Sequence, residues 1–414
     1  MLVRLQSRVF IVCKCERNRC WPGIEMTDLQ ELEITAQEPK EPLASRVVSI
    51  DALRGFDMFW IIGGWYIFNG LHKALDNPTT AFIKNQLTHV EWEGFVFEDL
   101  IMPLFLFIVG VVMPFSFSNR LRRGDSKRKL YRHVVQRSVI LFVLGMIAQG
   151  NLLDLDPSKL KIYCNTLQAI ATGYLISAVI ILNLRLNWQI IVTAVLLLLF
   201  WALMALVPVP GQGAGVLEPD ANLALYIDHI ILRQFDDGLN YTWILSGMTF
   251  ACTVMLGAMA GHLLRTELSG SRKVRILVFL GIGTLVLGAL WGGWFFGVGK
   301  FCAGPFPIIK RLWTSSFVLF SAGLSYLLLA VFYLVIDVWG FKKWAYGFVV
   351  IGSNAIFVYM LTHLVNFRAI TGVFVDGLDK FVGPWNDFIH AVAGFALVCL
   401  ILFWMYRKKS FIKV

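Results

Sequence analysis

The chain has 414 residues, of which 57% are hydrophobic and 15% charged, with a mean hydropathy of +0.68. That balance excludes a string of soluble domains, whose surfaces need roughly a quarter of their residues charged, and it excludes disordered and collagen-like chains. The formal net charge of +10 reads as topology, because membrane proteins concentrate Lys and Arg in cytoplasmic loops; no nucleic-acid partner is implied.

In chain order, residues 1–48 read as a cytoplasmic tail. Arg4, Arg8, Lys14, Arg17 and Arg19 surround an apolar stretch at 9–13 that is too short for a secretory signal. Composition changes at Met26, the expected true start, after which Asp28, Glu31, Glu33, Glu38 and Glu41 mark a segment expected to be disordered. Ten apolar segments then follow, at about 52–71, 99–118, 136–150, 164–183, 188–207, 243–264, 274–297, 314–336, 345–365 and 387–406. Each is long enough for a hydrocarbon core of about 30 Å, and a re-entrant eleventh is open in 208–242. Backbone groups in lipid must be satisfied within the segment, and no ten-residue alternation suggests a barrel. The expected fold is therefore all-α and polytopic, with a membrane domain over 49–406 and a basic tail at 407–414. Arg120, Arg122, Arg123, Lys127, Arg128, Lys129, Arg132 and Arg137 fall between the second and third segments. Placing that loop inside puts both termini in the cytoplasm.

The seven cysteines show no C-x-x-C spacing, and no metal site is expected. Cys164 and Cys302 fall on the same expected side, where a disulfide or free thiols are both open. Gly257-x-x-x-Gly261, Gly288-x-x-x-Gly292 and Gly293-x-x-x-Gly297 read as close helix packing. Trp291, Trp294, Phe295 and Phe296 fit an interfacial aromatic belt.

This orientation brings His72, His89, His229, His363 and His390 to the outer side. His89 stands out by its surroundings, since Glu91, Trp92, Glu93, Glu98 and Asp99 lie between it and a very apolar helix. Asp99 at that helix start has two readings: a cap for free backbone N–H groups, or a carboxylate that orients the imidazole for proton transfer. Arg54 follows Asp51 by three residues, on the same helical face, and suits a structural pair or a phosphate contact.

Four ordered blocks also resemble a known family. They are Ser49-Ile-Asp51-Ala-Leu-Arg54-Gly55; His89-x-x-Trp92-x-Gly94 leading to Asp99-Leu100-x-x-Pro103-x-Phe105-x-Phe107-Ile108-x-Gly110; Lys310-x-Leu312-Trp313-Thr-Ser-Ser-Phe317; and Gly352-x-Asn354-x-Ile356-x-Val358-Tyr359. With Ser116-Phe-Ser118 and the basic loop at Arg122, Arg123 and Lys127, these resemble the heparan-alpha-glucosaminide N-acetyltransferase family of membrane acetyltransferases from about Ser49 onward.

The resemblance implies transfer of acetyl from cytoplasmic acetyl-CoA to the amine of a glucosamine-type sugar on the outer side. It gives His89 the active-site role, as base or acetyl carrier, with Asp99 as its partner. On this reading Trp92, Glu93, Asn354 and Tyr359 are candidates for the acceptor or for the developing oxyanion. Arg54, Arg122, Arg123 and Lys127 are candidates for the CoA phosphates. The basic loop is equally what topology alone demands. Gly64-Trp65 stands where the human-type member has an asparagine, and the tail before Ser49 is short. These departures point to a bacterial inner-membrane enzyme acting on amino sugars of cell-wall or imported origin, a homodimer by resemblance. Two alternatives are a membrane O-acyltransferase and a transporter with Asp51, Arg54, Asp57 and Asp99 along its path; no internal repeat or pair of broken helices supports the transporter.

Overall fold

The computed structural model describes residues 2–4, 10–12, 47–293 and 306–412. The expected disordered tail, the Met26 start, the Cys164–Cys302 pairing, Trp294, Phe295, Phe296 and Gly297 lie wholly or partly outside the described residues. The chain divides into two units, 1–45 and 46–414. In the first, β1 (Leu2–Arg4) and β2 (Phe10–Val12) pair antiparallel, with Leu2 opposite Val12.

The second unit is helical. It opens with α1 (Val48–Phe59), a π-helical turn at Trp60–Gly64 and α2 (Trp65–Leu75), which stops where Asp76 turns left-handed at φ 39°. The short α3 (Pro78–Gln86) is started by Asn77 and Thr80 in a reciprocal cap. Then come α4 (Phe97–Arg122), α5 (Lys127–Gln149), α6 (Thr166–Asn183) and α7 (Leu186–Leu206). A two-residue hairpin, β3 (Leu217–Glu218) with β4 (Ala221–Asn222), precedes α8 (Leu223–Leu232). The chain continues with α9 (Gly247–Leu264), α10 (Gly270–Trp291), α11 (Ser315–Tyr333) and a π-helical turn at Leu334–Val338. It ends with α12 (Tyr346–Ser353), α13 (Ala355–Leu364), α14 (Phe367–Val375), α15 (Asp379–Val382) and α16 (Asn386–Arg407).

Among the described residues, eight helices are long and apolar enough to cross a membrane, or nine if α12 and α13 make one bent span. The ten expected segments map onto helices, with three differences. The segment at 52–71 is helical from Val48 to Leu75 but is not one of the eight; Asp51, Arg54, Asp57 and a run of Gly, Trp and Tyr dilute its apolar character. The segment at 345–365 is bent by 73° at Asn354. Within 208–242 lie only the hairpin, α8 and a 3-10 turn, so no eleventh span appears among the described residues.

Small residues let the central helices touch backbone to backbone. A β-carbon built on Gly257 would lie 2.0 Å from the Phe107 carbonyl oxygen, and one on Gly261 would lie 2.2 Å from that of Val111. From the other side, one on Gly110 would lie 1.9 Å from the Val254 carbonyl oxygen. The expected packing role of Gly257-x-x-x-Gly261 is thus seen between α4 and α9. Gly288 meets the Phe320 backbone in the same way, and Gly292 lies against the Ile308 side chain. Both α4 and α9 are mostly buried within the protein, so their fit has no slack. Gly257→Val should therefore destabilise the fold by about 1–3 kcal/mol or more, read as a lowered thermal midpoint in detergent, with Gly283→Ala, where no atom lies within 4 Å of a β-carbon, unchanged.

Candidate active site

The extended stretch before α4 carries the first part of the site. Leu87 is buried after α3 and anchors the chain, and Gly94, at φ 132°, makes a turn that a side chain would resist. The Gly94 N–H donates to the Ile308 carbonyl at 3.0 Å, and Glu93 bridges Ile309 antiparallel. This short pairing lays the 306–314 segment alongside 92–94, across more than two hundred residues of sequence.

The 306–314 segment is stiff for definable reasons. The Trp313 N–H donates to the Lys310 carbonyl at 3.0 Å, and the Thr314 hydroxyl accepts from the Ile309 N–H at 3.1 Å. Trp313 is left-handed at φ 53°, rare for so bulky a residue. Its ring is buried, with Nε1 donating to the Thr253 hydroxyl at 3.0 Å. Strain of this kind persists only where surrounding contacts over-determine it. Its effect is to hold Lys310, which is almost wholly buried, beside Asp99.

Asp99 makes both the cap and a contact to the imidazole. Its Oδ2 accepts from the Val96 N–H at 3.1 Å, capping α4, while Oδ1 faces His89 Nδ1 at 2.8 Å. Lys310 Nζ lies 3.4 Å from the same Oδ1 and 3.2 Å from His89 Nδ1. An ionised carboxylate only accepts, so Nδ1 carries the hydrogen and donates to Asp99. Nε2 is then left with its lone pair. Burial pushes the Lys310 ammonium below its usual range, opposed by Asp99 and Glu98. His89, 45% exposed at its side chain, lines a cavity of about 700 Å³ with Asn85, Thr88, Glu91, Trp92 and Glu93.

The other four histidines expected on the outer side have local partners. His72 meets the Thr80 hydroxyl at 3.1 Å, His229 Nε2 lies 3.3 Å from Asp236, His363 Nδ1 meets the Tyr359 carbonyl at 2.8 Å, and His390 Nε2 meets Asp379 at 3.0 Å. Among the sequence candidates, Trp92 and Glu93 line the cavity, with Trp92 Nε1 donating to the Leu217 carbonyl. Asn354, at the α12–α13 break, instead holds the C-terminal stretch by donating to the Ser410 carbonyl and accepting from the Ile412 N–H. Tyr359 bonds Asn165, which donates to Gln149. Arg54 pairs with Asp51 at 3.6 Å.

Arg122 and Lys127 line a second cavity of about 530 Å³, together with Ser118, His262 and Arg265. Arg265 donates to the Ser118 hydroxyl at 2.7 Å. Arg123 caps the end of α4 next to it. The two cavities thus sit at opposite ends of one helix: Asp99 to Arg122 is about 35 Å along α4 at 1.5 Å per residue. Lys310, Glu98, His262 and Arg265 were not singled out as site residues by sequence reasoning. Lys310 did open one of the resemblance blocks, and its basic neighbour Arg311 makes that segment charged on the acidic, outer-reading side.

Asp228 on α8 secures the stretch before α9. Its carboxylate, fully buried, accepts from the Trp243 and Ile244 N–H groups at 2.6 and 3.0 Å. The following backbone reaches Thr242, whose N–H donates to the Arg311 carbonyl, so Asp228 braces the segment that carries Lys310. Burial pushes Asp228 up to about 7. The folded protein therefore binds that proton more tightly than the unfolded chain, and the stability it contributes is lost as pH rises from about 4 through 7. Asp228→Asn should flatten the fall in thermal midpoint over that range; Asp237, raised to about 6 by burial, leaves a smaller residual slope of the same sign.

Residues 46–287 match the family model described as heparan-alpha-glucosaminide N-acetyltransferase, catalytic. The chain is 24% identical to the mouse heparan-alpha-glucosaminide N-acetyltransferase, over 91% of this chain and 62% of that protein. It is 25% identical to the human protein of the same name, over 90% of this chain and 60% of that one. The chain thus spans about three fifths of the length of these curated relatives. With more than half of it covered by the family model, the chain belongs to the heparan-alpha-glucosaminide N-acetyltransferase catalytic family.

Proposed function

From this membership, we propose that the chain is a membrane acetyltransferase that moves acetyl from acetyl-CoA to the amine of a glucosamine-type sugar. The observation that carries the reading is the His89–Asp99–Lys310 cluster at the mouth of one cavity, with a basic cavity at the far end of the same helix. The amine attacks the thioester carbonyl, the N–C bond forms and the C–S bond breaks, and Nε2 of His89 removes the amine proton and passes it to the leaving CoA thiolate. In the covalent version Nε2 itself attacks and carries the acetyl group to the sugar. Asp99 holds the imidazole in the tautomer that either route requires. Lys310 adds positive charge where negative charge develops.

In this proposal, Trp92 offers a flat face to the sugar ring and Glu91 or Glu93 offers an anion to its ammonium form before attack. Arg122, Lys127 and Arg265 take the CoA phosphates, and Arg123 contributes at the rim; charge-assisted contacts to phosphate are the strong ones. Placing that basic end in the cytoplasm satisfies the charge rule for membrane loops and puts His89 on the outer side, with both termini inside. The pantetheine arm then has to run along α4. Asn354 and Tyr359 have their polar atoms engaged elsewhere and are not assigned to the substrate.

The test is acetyl transfer in lipid nanodiscs with isotope-labelled acetyl-CoA and a panel of glucosamine-containing acceptors, read by mass spectrometry. Labelled N-acetyl sugar is expected from wild type and a loss of roughly 10²-fold or more in His89→Ala. Arg122→Gln and Arg265→Gln should raise KM for acetyl-CoA more than they lower kcat. Folded wild type that makes no labelled sugar and releases no CoA would overturn the assignment, and solute flux without acetyl-CoA would replace it with transport.

A further inference from the structure

The cavity that holds His89 has walls from two places. Asn85 and Thr88 belong to the end of α3 and the turn after it, and Glu91, Trp92 and Glu93 to the stretch that leads to α4. Both walls are fixed. The His72 ring meets the Thr80 hydroxyl at 3.1 Å, and the Gln86 side-chain carbonyl accepts from the Phe97 N–H at 3.3 Å, so α3 is tied to α2 before it and to α4 after it. The second wall is clamped by the Glu93–Ile309 bridge and by Trp92 Nε1, which donates to the Leu217 carbonyl at 2.9 Å. Groups held in place before a ligand arrives lose little freedom on binding it. The charges on these walls are one-sided. Glu91 and Glu93 are both exposed, and neither makes an ion pair among the described residues. The neighbouring cations are committed elsewhere: Lys310 is buried with Nζ 3.4 Å from Asp99, and the Arg311 guanidinium lies over the Tyr241 ring, 5.5 Å from its centre. Lys84, beside Asn85 on α3, is not one of the lining residues. The Asn85 amide can both donate and accept, and the Thr88 hydroxyl donates to the Lys84 carbonyl at 2.9 Å and keeps its lone pairs.

A cleft lined by carboxylates attracts a cation and repels an anion, and the repulsion discriminates as well as the attraction does. We propose that this cavity selects amino sugars whose only charge is the amine, flanked by hydroxyl groups, and rejects those that carry a sulfate, phosphate or carboxylate beside it. The inference deepens the acetyltransferase reading above and rests on it. Glu91 and Glu93 face the ammonium and set the sign of the charge accepted. Trp92 takes the C–H face of the ring, and Asn85 and Thr88 take its hydroxyl groups. A polymer of glucosamine meets the condition at every residue, whereas a sulfated, uronate-bearing glycan violates it next to the reacting amine. Glu91 and Glu93 are thereby specificity residues, which meet the acceptor and not the thioester.

The experiment uses the full chain in nanodiscs of zwitterionic lipid at low salt, with labelled acetyl-CoA and three acceptors: glucosamine, a glucosamine disaccharide and glucosamine 6-sulfate. Calorimetric titration of each sugar without acetyl-CoA reads binding separately from turnover. Wild type should favour glucosamine over its 6-sulfate by about tenfold or more in both Kd and kcat/KM, because like charges brought together suppress the wrong partner. The ratio should shrink as added salt screens the carboxylates. The double variant Glu91→Gln/Glu93→Gln should bring it near one, by weakening glucosamine and strengthening the 6-sulfate, and Thr88→Lys should move it towards the sulfate. All three side chains are exposed, so the variants should give the size-exclusion profile of the wild type. A wild type that binds and acetylates the 6-sulfate as well as glucosamine would overturn the charge selection and leave the acetyltransferase standing. An unchanged ratio in the double variant would remove the two glutamates from the role. Glucosamine bound but never acetylated in a His89-dependent way would overturn the function reading, and the proposal with it.

Discussion

The burial of one carboxylate governs this site. Asp99 sits with almost none of its side chain exposed at the first turn of α4, a position that favours an anion through the free N–H groups of the helix start. A buried charge is tolerated only when paired and hydrogen-bonded, and here the Val96 N–H, His89 and Lys310 share that task. The cap and the contact to the imidazole are one arrangement. Weakening any one partner leaves the others facing an under-satisfied charge, so the imidazole is held for reasons of stability that coincide with its use.

Much of this was legible locally and little of it at long range. His89 and Asp99 are ten residues apart, and a polar cluster abutting an apolar helix announces itself in the sequence. Lys310 lies 221 residues from His89, joined to it by a backbone bridge whose partners, Glu93 and Ile309, bear no pairing signal. The small-residue stripe was readable because Gly257 and Gly261 repeat at helical spacing, yet its partner surface, the carbonyls of Phe107 and Val111, has no side-chain signature. The bend at Asn354 has no proline or glycine at the break itself. A Ser-Asn pair takes its place, with Ser353 bonding back to the Val349 carbonyl and Asn354 bonding out to the C-terminal stretch; such competition with helical hydrogen bonds bends helices.

The same contrast separates hydropathy from span. Leu100 to Ser118 is uncharged and reads as a crossing helix at once. The first helix carries Asp57 in its buried face and tryptophans at both ends of a π turn, features that lower its apolar signal. Intramembrane carboxyl groups are costly in lipid and usually face protein or a cavity, and π turns recur at functional sites. The helix least visible by hydropathy is therefore the one that carries a fully buried carboxyl group.

Position along α4 then links the two cavities mechanically. Its ends carry opposite chemistry, carboxylates at the first turn and arginines at the last, which is also the arrangement the helix dipole favours. Between them, Gly110, Gly257 and Gly261 lock α4 against α9 at backbone distance, and Arg265, just beyond α9, reaches Ser118 of α4. A rod clamped along its length transmits displacement rather than absorbing it. The start of that clamped helix holds the carboxylate that meets His89, so the acidic and the basic clusters are fixed relative to each other.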